Sequence, residues 1–206
     1  RPAGRAWWLE DPLQNLYDRP PVALPGWVGL RADTNYRSPK DILATLNRLL
    51  ASPVAAGSPL SGGPVEMFTY AGDDDLQHAT AKAITRAIGL GFRRPHIAVI
   101  SYRGREHSAL APVTRLGPYA LRAPTGHYDL LGNPILTEGD ILIDSVHRFK
   151  GRAAPCVILT EIDFDTLDDK AIRRLFVGAT RATLKLMLVL SARAEATLRQ
   201  RLADPT

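Results

Sequence analysis

The chain has little of several things, and each shortage removes a class of explanation. Its 206 residues include one cysteine, Cys156, so there is no internal disulfide framework and the thiol fits a reducing compartment. That cysteine opens the run CVIL, which reads as a buried strand. No apolar run approaches the length that crosses a bilayer, and the first residues lack the charged start, apolar middle and cleavage site of a secretory signal. A cytoplasmic protein with no membrane partner is the expectation. The sequence also has no G-x-x-x-x-G-K-S/T, no G-x-S-x-G, no H-E-x-x-H and no paired C-x-x-C. A phosphate-cradling loop, a hydrolase nucleophile and a zinc site therefore have no anchor in these residues.

What is present is ordinary in bulk. Hydrophobic residues make up 45% and charged residues 23%, a soluble globular composition large enough for one substantial core. Lys and Arg number 26 against 21 Asp and Glu, a net charge of +5, which permits a polyanionic partner. No basic block or basic-aromatic stripe concentrates that charge. His78, His96, His107 and His127 are scattered and read as surface or turn residues. Asp73, Asp74 and Asp75 open a helix, where acids complement the dipole, and this explains them more simply than metal binding does.

The pattern along the chain alternates. Residues 7–10 read as a strand with almost no lead-in, as though the chain begins inside a domain, and 13–17 as a short turn or helix. Residues 20–29 and 52–64 are rich in Pro and Gly and read as irregular. A helix is expected from Pro39 to about Leu50, capped by Ser38. Strands are expected at 65–70, 97–102, 141–146 and 156–161, and a helix over 73–88. Between Arg103 and Asp140 short strands and turns mix, and an amphipathic helix closes the chain over 192–202. Strands alternating with helices favour an α/β fold with a parallel sheet.

The run IRRLFVGATRA, 172–182, stands out. On a helix Arg174 and Arg181 would share a face, while Leu175, Phe176, Val177 and Ala179 supply apolar surface. The apolar stretch 184–191 follows directly and reads as a strand buried on both faces. An arginine held where a helix feeds a central strand is well placed for a phosphate. The plainer reading is a solvated surface helix.

Four stretches, in order, carry a resemblance that none carries alone. Asp11-Pro12-Leu13-Gln14-Asn15-Leu16-Tyr17 resembles the third motif of superfamily 1 DNA helicases of the UvrD/Rep/PcrA type, G-D-x-x-Q-x-I-Y. Asn35-Tyr36-Arg37-Ser38 is similar to their fourth, N-Y-R-S, and Ser145-Val146-His147-Arg148-Phe149-Lys150-Gly151 to their fifth, T-x-H-x-x-K-G. Phe176-Val177-Gly178-Ala179-Thr180-Arg181-Ala182 matches their sixth, Y-V-x-x-T-R-A.

The resemblance implies a RecA-like three-layer α/β fold, a mainly parallel sheet flanked by helices. Residues 1–34 would be the end of a first RecA-like lobe and the crossover, and 35–206 the second lobe. The family closes two such lobes on ATP and Mg2+, both held mainly by the upstream lobe, while translocating on single-stranded DNA. The catalytic candidates are Arg181 and Arg37, with Gln14 as γ-phosphate sensor. Tyr36 would lie against the adenine and the amide of Gly151 near the nucleotide, with Ser145 and His147 meeting the DNA backbone. The fragment alone is expected to be inactive.

The departures are specific. Where the family reads K-G-x-E, this chain has Lys150-Gly151-Arg152-Ala153, so the acid that contacts the nucleotide sugar is missing. Asp18-Arg19-Pro20 replaces a base-stacking Trp after the third motif, and Leu13 stands where many relatives have an acid. The stretch from Lys40 to Asp140 is too short for a second-lobe core plus the large insert of UvrD, which points to a compact branch. Those losses favour the alternative, a non-catalytic nucleic-acid-binding or interaction module on the same scaffold.

Overall fold

The computed structural model describes residues 6–203. In chain order they form β1 (Thr34–Asn35), α1 (Lys40–Asn47), β2 (Ala55–Ala56), β3 (Glu66–Tyr70), α2 (Asp73–Gly89), β4 (Ile97–Ser101), β5 (Arg115–Leu116), β6 (Tyr119–Arg122), β7 (Pro124–Tyr128), β8 (Pro134–Leu136), β9 (Ile141–Ser145), β10 (Ala154–Ile162), α3 (Asp169–Ala179), β11 (Ala182–Ser191) and α4 (Ala192–Ala203). Seven strands make the main sheet in the order β3-β11-β10-β4-β9-β6-β5. All its pairings are parallel except β5 with β6 at the edge. This is the mainly parallel, helix-flanked α/β fold expected of a RecA-like lobe.

The two-residue period of the strands divides the core in two. Val157 and Leu159 of β10 face one apolar cluster with Leu186, Leu188 and Leu190 of β11, and Cys156 and Ile158 face the other with Met187 and Val189. Side chains of α1, α3 and α4 cover the first face, and Leu76, Ala83, Ile84 and Ala87 of α2 cover the second. Central parallel strands therefore need apolar residues at every position, which is why they appear in sequence as unbroken runs. Helix α3 approaches β10 closely at Gly178, where a Cβ would lie 2.8 Å from Leu159 Cδ1. The ends of β10 and β11 are tied to α4 through Asp163, which accepts from Ser191 Oγ at 2.7 Å and from Arg193 Nε and Nη2 at 2.7 and 2.6 Å.

Between β4 and β9 the chain builds only small elements. The strands β7 and β8 form a separate antiparallel hairpin. Its turn is fixed by Asp129, whose Oδ1 accepts from the Leu131 and Asn133 amides at 2.9 and 2.8 Å.

Three expectations need correction. Residues 7–10 form no strand; Trp7, Trp8 and Leu9 are exposed and among the described residues no strand pairs with them, so local β-propensity has nothing to act on. Helix α1 begins at Lys40 with Pro39 in the cap position and without a side-chain cap. Ser38 does not cap it, because its buried hydroxyl makes no hydrogen bond, while Asn35 Oδ1 takes the amides of Arg37 and Ser38, each at 2.9 Å, setting a turn before the helix. Helix α3 stops at Ala179, so Arg174 and Arg181 do not share its face. Thr180 is its C-cap, with its hydroxyl donating back to the Phe176 carbonyl at 2.8 Å.

Candidate functional site

Ending α3 two residues early is what places Arg181. Lying between the helix and β11, it is 2% exposed, with Nε donating to the Val177 carbonyl at 3.0 Å and Nη2 to Gln14 Oε1 at 3.5 Å. Gln14 itself ends a 3-10 turn, Pro12–Gln14, capped by Asp11. Its amide nitrogen donates to Asp11 Oδ2, so the amide dipole is fixed with its oxygen toward Arg181. Lys150 Nζ donates to the Gln14 backbone carbonyl at 2.9 Å, which ties the turn to the loop after β9.

Gln14, Tyr36, Arg37 and Arg181 all line one cleft of about 970 Å³, together with Asp11 and Arg173. The four residues come from three distant stretches of chain. Tyr36 follows β1, which pairs in parallel with β2. Its ring crosses Gly57 so closely that a Cβ there would lie 2.4 Å from Tyr36 Cδ1. The ring is nevertheless 76% exposed, so one aromatic face is available to the cleft.

Four arginines, Arg31, Arg37, Arg173 and Arg181, line the cleft together with four acids, Glu10, Asp11, Asp33 and Asp169. Burial, and then the like charge of Arg37, push the Arg181 pKa down from its usual value, with Asp11 pulling the other way. Arginine stays charged through such shifts, so Arg37 and Arg181 repel one another across the cleft. An anion between them would replace repulsion by paired attraction.

The remaining expected site residues lie elsewhere. Gly151 has φ +89° at the end of the loop after β9 and does not line the cleft. Ser145 is buried at the end of β9, its amide donating to Asp144 Oδ1 at 2.8 Å. The His147 ring sits 5.7 Å from the Tyr17 ring at a tilt of 46°. Burial, then the charges of Arg174 and Lys170, lower the His147 pKa, which keeps the imidazole neutral near pH 7. Residues not singled out from sequence also reach the cleft. Arg173 is one, anchored by an ion pair with Asp18; adjacent arginines in RR gave no signal to separate it from Arg174, which lies over the Tyr102 ring at 5.0 Å. Among the described residues no group of three or more His, Cys, Asp or Glu is placed to hold a metal ion, and no helix is long and apolar enough to cross a membrane.

Residues 140–189, spanning β9 to β11, match the family model described as the UvrD-like helicase C-terminal domain. No curated protein sequence matches the chain significantly. Among solved structures, the C-terminal domain of a possible DNA helicase from Lactobacillus plantarum WCFS1 superposes with a TM-score of 0.54 at 16% identity, over 79% of this chain and 96% of that one. At that identity the likeness speaks for the fold. The fifth and sixth motifs lie inside the matched segment, so residues 140–189 are similar to the UvrD-like helicase C-terminal domain.

Proposed function

We propose that this chain is the C-terminal part of an ATP-dependent DNA helicase or translocase, contributing an arginine finger and DNA-contacting residues to an ATP site shared with an upstream RecA-like lobe. The observation that carries the reading is the convergence of Gln14, Tyr36, Arg37 and Arg181 on one cleft. Phosphoryl transfer to water needs charge stabilisation more than covalent help. Two guanidiniums facing one space, one of them locked in place, match that need.

The residues fit ATP. The free face of Tyr36 suits adenine stacking, and Arg37 and Arg181 suit phosphate oxygens. ATP supplies the phosphoryl group whose transfer drives movement. This chain's own part is to hold Arg181 rigid against the Val177 carbonyl and to couple it through Gln14 to Lys150, on the loop that bears His147 and leaves β9 at Ser145. In this reading Mg2+ is held by carboxylates of the upstream lobe. Ser145 and neutral His147 supply hydrogen bonds to the backbone of single-stranded DNA.

The test is Arg181→Ala in the protein that includes the upstream lobe. Single-stranded-DNA-stimulated ATP hydrolysis should fall by on the order of 10³-fold or more, with DNA affinity nearly unchanged. Lost DNA binding, or hydrolysis at the wild-type rate, would remove the finger assignment.

A further inference from the structure

The backbone at position 57 does not require glycine. Its φ lies outside the left-handed region, and its amide donates to the Asn35 carbonyl at 2.9 Å as any strand residue would. Space is what demands it. A Cβ there would lie 2.6 Å from Tyr36 Cε1, nearer still to Cδ1, and 2.8 Å from Thr34 Cγ2, all inside the 3.0 Å below which a neighbour must move.

A short series of contacts sets this glycine against the ring. Asn47, the last residue of α1, donates from Nδ2 to the Val54 carbonyl and accepts at Oδ1 from the Val54 amide, both at 2.9 Å. Strand β2 follows at once, with Ala55 opposite Thr34 and Ala56 opposite Asn35 of β1. Gly57 and Tyr36 are the next residues of the two strands, and they meet side by side. Tyr36 lines the cleft and Gly57 does not, so the glycine lies behind the ring as seen from the cleft.

The arrangement matters because the ring is otherwise free. An exposed aromatic side chain must be ordered before anything stacks on it, and that ordering subtracts from affinity. A ring resting on glycine is partly ordered beforehand. The neighbouring Arg37 is placed independently, its amide held by Asn35 Oδ1 at 2.9 Å.

We propose that Gly57 is a positioning residue for the nucleobase, supplying the space in which Tyr36 settles so that a base can stack on its free face. The inference rests on the ATP reading above and adds the residue that sets its stacking surface. Gly57 acts on the ring alone, so it governs the base-dependent share of affinity and leaves the grip of Arg37 and Arg181 on phosphates untouched. The fold should absorb a methyl group here, because the exposed ring can swing aside and alanine also narrows the unfolded ensemble.

The experiment uses the protein that includes the upstream lobe, assayed for DNA-stimulated ATP hydrolysis, with inorganic tripolyphosphate as a competitor that offers phosphates and no base. Gly57→Ala should raise KM for ATP about tenfold, toward the low end of what losing a base stack costs, with kcat changed by less than about twofold. Inhibition by tripolyphosphate and the urea midpoint should match wild type. Tyr36→Ala should raise KM at least as far, and adding Gly57→Ala to it should change nothing more, since no ring remains to displace. A wild-type KM in Gly57→Ala beside a raised KM in Tyr36→Ala overturns the positioning role and leaves the ATP reading standing. An effect of Gly57→Ala that persists without the ring, or that weakens tripolyphosphate equally, overturns it too. If neither single substitution moves KM, the stack at Tyr36 fails and the positioning role with it. Absence of any ATP hydrolysis by the wild-type protein defeats the ATP reading itself.

Discussion

The cleft and the sheet on which it stands are built on opposite terms. In the sheet, β10 and β11 bury nearly every side chain and draw their contacts from neighbouring strands and two layers of helix. In the cleft, an exposed Tyr36 and Arg37 follow a two-residue strand, and Gln14 sits on a single 3-10 turn. The contrast teaches that stability and chemistry are carried by different residues, with one exception. Arg181 belongs to both, buried like a core residue and aimed at the cleft.

That exception gives the largest expected effect. Arg181→Met keeps the aliphatic bulk but removes a buried charge that Arg37 opposes, so the variant should unfold in urea at no lower concentration than wild type. Its ATP hydrolysis, measured with the upstream lobe and DNA, should still fall by on the order of 10³-fold. A variant that loses stability and activity together would place Arg181 with the core alone. Gly178→Val probes the opposite case. A Cβ at that position meets the buried Leu159, and the strain should cost about 1–3 kcal/mol, read as a lower urea midpoint; an unchanged midpoint would show slack between α3 and β10.

The sheet ends should also answer to acid. Hydrogen bonds from Arg193 hold the Asp163 carboxyl well below the usual carboxylate range, against the opposing effect of burial. A depressed folded pKa means stability that is present above the unfolded value and lost as pH falls, here below about pH 4. Asp163→Asn should flatten that acid slope in thermal melts, and an unaltered slope would assign the loss to other groups. The smallest effect concerns Cys156, whose thiol burial pushes up to about 12. Iodoacetamide at pH 8 should leave the native chain unlabelled and modify it only in denaturant; rapid native labelling would mean the centre of the sheet opens readily.

The sheet was the legible part. Strands such as β11 are apolar at consecutive positions because both faces are covered, and that pattern survives in sequence without any tertiary information. The 7–10 stretch shows the limit, since Trp7 and Trp8 look strand-like until one asks which strand they pair with. Local hydrogen bonds were equally hidden: nothing in the letters says that Asn35 would intercept the amide ahead of Ser38, or that Thr180 would close α3. In the cleft, Gln14, Tyr36, Arg37 and Arg181 became a set only through resemblance to known motifs, because residues so far apart share no periodicity.

The hydrogen bond from Arg181 to the Val177 carbonyl has an entropic meaning. An arginine side chain carries about 2 kcal/mol of rotamer entropy. At Arg181 most of that freedom is surrendered once, when the chain folds, so an arriving anion meets a group already in position. At exposed Arg37 the same freedom is surrendered each time an anion is gripped and regained each time it leaves. One guanidinium acts as a fixed reference and the other as the part that must be ordered anew in every cycle.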